Sequence, residues 1–187
     1  MSDTFTVAAF AGSLRTRSYN RALLHAAAEH APERLTIDPI IDLSNVPLYN
    51  GDLEAEGDPE SVAALKDALH DADGLLIVSP EYNASIPAVT KNAIDWASRP
   101  PKPTALNDLP VAIAGTTPGA LGTARMQGHL RSSLANTNAR VMPQPQFYLG
   151  KASERFNDNL ELTDESTIRF LQHFLNGFAD WIEVTGA

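Results

Sequence analysis

Residues 12–20, Gly-Ser-Leu-Arg-Thr-Arg-Ser-Tyr-Asn, combine the groups that hold a phosphate. Ser13, Thr16, Ser18 and Tyr19 bring hydroxyls, Arg15 and Arg17 bring guanidinium groups, and a helical pattern opens at Asn20. A helix start offers unpaired N–H groups and a partial positive charge to an anion. Arginine adds bidentate contacts. No acidic residue lies between Thr4 and Ala28, whereas Arg15, Arg17 and Arg21 do. In a chain of net charge −9, that local excess is a selective anion site rather than general basicity. A solvated serine-rich turn that merely caps a helix would use the same residues. The pattern is neither a Walker A loop nor Gly-x-Gly-x-x-Gly.

Two further stretches have chemical potential. Ser79-Pro80-Glu81-Tyr82-Asn83-Ala84-Ser85-Ile86-Pro87 is stiffened by prolines, and Pro87 pre-sets a first helical turn. Its backbone amides can read the polar edge of a flat heterocycle, with Tyr82 against the apolar surface. A proline-framed turn around a buried tyrosine would look the same. Gly115-Thr116-Thr117-Pro118-Gly119-Ala120-Leu121-Gly122 has three glycines, which permit close backbone approach to a ligand.

Other chemistries are excluded or weak. The chain has no cysteine, so thiolate nucleophiles, disulfides, iron–sulfur clusters and cysteine-based zinc sites are ruled out. Its five histidines, His25, His30, His70, His129 and His173, lack metal-ligand spacing, and no metal is expected. No Gly-x-Ser-x-Gly elbow is present. The acidic balance disfavours nucleic acid and anionic membranes as partners. No signal-like or membrane-spanning run occurs, so a cytoplasmic protein is expected. Glu54, Glu56, Asp58 and Glu60 read as a solvated loop.

The three stretches must be positioned by the elements around them. Apolar runs at 5–11, 35–41 (interrupted by Pro39), 74–79, 109–114 and near 140–142 read as strands. The run Gly74–Ser79 is almost wholly apolar, as a central parallel strand is. Helical spacing appears at 20–29, 59–70, 87–98, 122–134 and 164–184. This alternation predicts a parallel sheet with helices on both faces and a single domain over residues 1–187. In such a sheet, ligands bind beyond the carboxyl ends of the strands, where all three stretches fall. In the 87–98 helix, Val89, Ala93, Trp96 and Ala97 share one face and Ile86, Thr90 and Ile94 an adjacent one. So wide a stripe ending in Trp96 predicts a second surface to bury, as in a homodimer.

Gly12-Ser13-Leu14-Arg15 with Ser18 and Asn20, then Pro80-Glu81-Tyr82-Asn83 running into Lys91-Asn92-Ala93-Ile94-Asp95-Trp96, resembles the NADPH-dependent FMN reductase family. The similarity continues through Pro47-Leu48-Tyr49 and Gly119-x-x-Gly122-x-x-Arg125-x-Gln127-x-His129-Leu130-Arg131. That last stretch is most similar to the branch of bacterial quinone and chromate reductases. Thr16-Arg17 stands where relatives frequently have Lys-Gly, Ala84 and Ala88 where they often have glycine, and Gly128 where some have tyrosine.

The resemblance implies a flavodoxin-like, doubly wound α/β fold with a five-stranded parallel sheet of order 2-1-3-4-5. It implies FMN as cofactor and NADPH or NADH as co-substrate, with a quinone, free flavin, azo compound or metal oxyanion as acceptor. By position, Ser13, Arg15, Ser18, Tyr19 and Asn20 would hold the FMN phosphate end. Pro80, Glu81, Tyr82 and Asn83 would bracket the ring, and Thr116, Thr117 and Gly119 would complete the third wall. The chemistry would reside on FMN, with no side chain as catalyst. A homodimer or homotetramer is expected. A flavodoxin-type electron carrier serving protein partners is the alternative with the same fold.

Overall fold

A computed structural model describes residues 4–100 and 102–186. Its sheet is parallel and runs in the order β2-β1-β3-β4-β5, the order expected. The strands are β1 (Phe5–Ala11), β2 (Leu35–Ile41), β3 (Gly74–Val78), β4 (Pro110–Thr116) and β5 (Arg140–Val141). A sixth, β6 (Phe147–Leu149), was not expected. It lies on the same side of β4 as β5, pairing with Ala114–Thr116 where β5 pairs with Pro110 and Val111. The outermost position is therefore filled by two short strands in tandem.

The alternation of side chains explains why both faces are covered. In β1, Val7 and Ala9 face one cluster and Ala8 and Phe10 the other. In β3, Leu76 and Val78 point one way, and Leu75 and Ile77 the opposite way. Helices α1 (Tyr19–Glu29) and α6 (Glu165–Thr185) pack on the first face. Helices α3 (Glu60–His70), α4 (Ala88–Ala97) and α5 (Ala124–Ala135) pack on the second. Leu171, Phe174, Leu175 and Phe178 of α6 are all buried. Burial of each such side chain is worth about 1.5–3 kcal/mol. Pro39 falls in β2, where the register against β1 shifts between Val7 and Ala9. Among the described residues, no helix is long and apolar enough to cross a membrane.

Two expectations are corrected. Trp96 is fully buried within its own chain, donating its indole N–H to the Pro47 carbonyl at 2.8 Å and meeting the Tyr49 ring edge-on at 5.0 Å. Its size is thus absorbed by the 47–49 segment, and it offers no surface to a second copy. The acidic stretch is also not wholly solvated. Glu54 lies in a short helix, α2 (Gly51–Ala55), accepts a hydrogen bond from the Tyr49 hydroxyl and pairs with Arg99. Asp58 pairs at 2.7 Å with Lys66, whose side chain is buried. A buried ammonium requires such a partner.

Candidate active site

The chain runs from β1 to β2 on one side and then to β3 on the other, so the order reverses between β1 and β3. The 12–20 and 79–87 loops leave the sheet at that point. Their approach is close: Gly12 N–H donates to the Val78 carbonyl, and a Cβ on Gly12 would overlap the hydroxyls of Ser79 and Thr90. Those hydroxyls bond each other at 2.8 Å. Glycine is needed at 12 for this contact. Gly115 has a similar role in β4, where a Cβ would overlap the Ser79 carbonyl oxygen and Thr123.

Within the first loop, Ser13 and Ser18 are buried and Arg15 and Arg17 are exposed. Ser18 caps α1, its Oγ accepting from the N–H groups of Asn20 and Arg21. Its own hydroxyl hydrogen remains a donor. No acidic residue occupies the first turn of α1, which suits an anion at that end. Arg15 uses one nitrogen to hold the Arg17 carbonyl at 2.8 Å, leaving the rest of its fork available.

Three of the predicted site residues also make contacts within the protein. The Asn20 amide spans the end of β4, with Nδ2 donating to the Thr116 carbonyl (2.9 Å) and Oδ1 accepting from Thr116 N–H (3.0 Å). The Tyr19 ring lies 5.5 Å from that of Phe156. The Glu81 carboxylate turns to the start of α5, accepting from the N–H groups of Arg125 and Met126 and from the Arg125 guanidinium. Burial pushes its pKa upward, but those donors and the Arg125 charge outweigh burial and hold it below the usual value.

The second loop ends in a closed turn. Tyr82 and Ser85 exchange backbone hydrogen bonds, and Asn83 and Ala84 between them are left-handed, with φ of 49° and 62°. Pro80 is buried, while Tyr82 stands 47% exposed, its ring open to solvent rather than in the core. Ser85 Oγ lies 3.0 Å from His129 Nδ1. In the third loop, the single Thr117 hydroxyl hydrogen is within reach of the carbonyls of Gly119 (3.3 Å) and Gly122 (3.1 Å). Gly119 is open. The Thr116 hydroxyl is buried and has no hydrogen-bond partner among the described residues.

A fourth segment was missed from the sequence. After β6, Lys151 N–H donates to the Gly119 carbonyl and Ala152 N–H to the Thr117 carbonyl. Further along, the Asp158 carbonyl accepts from Arg17 at 2.7 Å. Residues 150–158 thereby hold the first and third loops together. The signal for this was slight: a three-residue strand followed by Gly150, whose Cβ would overlap the Ala120 carbonyl.

A cavity of about 770 Å³ lies at the other end of the sheet among Phe5, Asp73, Asn107, Asp108 and Pro110. None of the loops above reaches it. The site is better placed at the carboxyl ends of the strands, where ligands of open α/β sheets bind.

Known proteins are similar to this chain in sequence and fold. The NADPH-dependent FMN reductase family profile matches residues 5–154. A 2-hydroxy-1,4-benzoquinone reductase from a Burkholderia species is 43% identical over 176 residues, covering 94% of this chain and 95% of that protein. A quinone reductase from Pseudomonas putida is 40% identical over 187 residues, the whole of both chains. The solved structure of a flavoenzyme NAD(P)H:(acceptor) oxidoreductase from Paracoccus denitrificans superposes with a TM-score of 0.89 at 39% identity, covering 97% of this chain and 99% of that one.

Proposed function

This chain belongs to the NADPH-dependent FMN reductase family, and from that membership we propose how its own residues serve the reaction. The protein is an FMN-dependent NAD(P)H oxidoreductase that reduces small acceptors, quinones among them. That sets aside the electron carrier alternative. The observation that carries the site assignment is the meeting of the 12–20 and 79–87 loops at the β1–β3 reversal point.

The residues there fit FMN. The buried Thr116 hydroxyl, without a hydrogen-bond partner among the described residues, is a donor that a ligand can satisfy. The Ser18-capped start of α1, free of acidic residues, and the open fork of Arg15 suit a phosphate. When bound, FMN supplies hydride acceptance from the nicotinamide and electron delivery to the acceptor. Ser13, Arg15 and Ser18 bind the phosphate. Pro80, Tyr82 and Asn83 flank the ring, and Thr116, Thr117 and Gly119 form the third wall. Tyr19, Asn20 and Glu81 keep these groups in place. No side chain acts as general acid or base.

We further assign the 187 residues to one FMN-binding domain working in the cytoplasm as a homodimer or homotetramer. Light scattering at micromolar concentration should report at least a dimer; a fully active monomer ends that assignment.

The function is tested by mixing the FMN-loaded protein with NADPH or NADH without oxygen. The flavin should bleach at once and recover its colour when benzoquinone is added. Steady-state double-reciprocal lines should be parallel, because donor and acceptor use one site in turn. Lines that intersect for every acceptor would show a ternary complex instead.

A further inference from the structure

The start of α5 has no cap of its own. Thr123, at the N-cap position, makes no side-chain cap hydrogen bond. Glu81, 44 residues before Arg125, supplies it: Oε2 accepts from the N–H groups of Arg125 and Met126, both at 3.1 Å. Its Oε1 accepts from the Arg125 guanidinium, with Nε at 2.8 Å and the terminal nitrogen at 2.6 Å. The Glu81 side chain is only 7% exposed, whereas the Arg125 side chain it holds is 61% exposed.

One helical turn further along α5, His129 meets Ser85. The 79–87 loop is thus anchored to α5 at two points. Between them, residues 82–85 form the closed turn with two left-handed residues, which has little freedom of its own. Its placement is set by the anchors. The Ser85–His129 bond is exposed, and water can replace it. The Glu81 anchor is charged and accepts from two backbone N–H groups and two guanidinium nitrogens, against one neutral contact at Ser85, so it dominates.

We propose that Glu81 is a positioning residue for the flavin ring: it does not touch the cofactor, but its carboxylate fixes the 80–83 backbone against helix α5. This rests on the reading that Pro80, Tyr82 and Asn83 flank the ring. Glu81→Gln keeps the shape but sets an amide against the Arg125 guanidinium and removes the charge. Riboflavin carries the ring without the phosphate, so it isolates the effect.

Glu81→Gln should weaken riboflavin and FMN by the same factor, about tenfold, the loss of one hydrogen bond to a charged group. The reduction potential of bound FMN should shift as well. A merely structural role would lower the melting temperature of the flavin-free protein and leave both the potential and riboflavin affinity unmoved. That result would overturn the proposal, as would weakened FMN with unchanged riboflavin. If Glu81→Gln does not fold, Arg125→Gln takes its place. It leaves the carboxylate on the backbone N–H groups and should weaken both flavins by a smaller, equal factor; no change would likewise overturn the proposal. Wild-type protein that binds neither flavin would instead refute the proposed function, so the two failures are distinct.

Discussion

Replacement of Asn20 by alanine is expected to destabilise the flavin-free protein by about 2–6 kcal/mol. The side chain is 4% exposed, and both ends of its amide are bonded to Thr116. Truncation leaves a buried N–H and a buried carbonyl without partners, at roughly 1–3 kcal/mol each. Domains of this kind are stable by only about 5–15 kcal/mol. Asn20→Asp should do no better, because it places an oxygen where the Nδ2 donor faced the Thr116 carbonyl. Urea unfolding of the flavin-free proteins measures both. A loss below about 1 kcal/mol would mean that water or a rearranged strand end replaces the amide.

Arg15→Ala should leave the flavin-free protein almost as stable as before, within about 0.5 kcal/mol, because the side chain is exposed. Its effect should appear on ligand binding. FMN affinity should fall about ten- to more than a hundredfold, the value of a hydrogen bond to a charged group, while riboflavin affinity stays constant. Fluorescence titration with both flavins gives the two numbers. Equal losses would move Arg15 away from the phosphate. Lysine should restore only part of the affinity, since a point charge lacks the planar fork. Two neighbouring loop residues thus separate cleanly: Asn20 matters before the cofactor arrives, Arg15 after.

Much of the sheet was legible because its signal is local. β1, β3 and β4 are continuous apolar runs, and the helices on either face carry apolar residues at helical spacing. The loops at the carboxyl ends follow directly from those strands. What was hidden depends on partners distant in sequence. Asn20 is 96 residues from Thr116, and Glu81 is 44 from Arg125. Nothing in the local composition distinguishes a polar side chain that holds a ligand from one that holds a strand end. Trp96 was misread for the same reason: its partner, the Pro47–Tyr49 segment, lies nearly fifty residues away along the chain. β6 escaped notice because three residues are too few to show alternation.

The tandem filling of the outermost strand position has a consequence for how copies of this protein can meet. A sheet edge with a long, unbroken row of free N–H and carbonyl groups invites a strand from another molecule, and with it fibrous aggregation. Here that edge is a two-residue and a three-residue piece, with Pro143 and Pro145 between them. At the far edge, β2 carries Pro39, which has no N–H to offer, at the point where the register shifts. Neither margin presents a template long enough to recruit a visiting strand. Self-association is therefore steered to helices and loops, where specific side chains decide the geometry, and assembly can end at a closed oligomer instead of growing indefinitely.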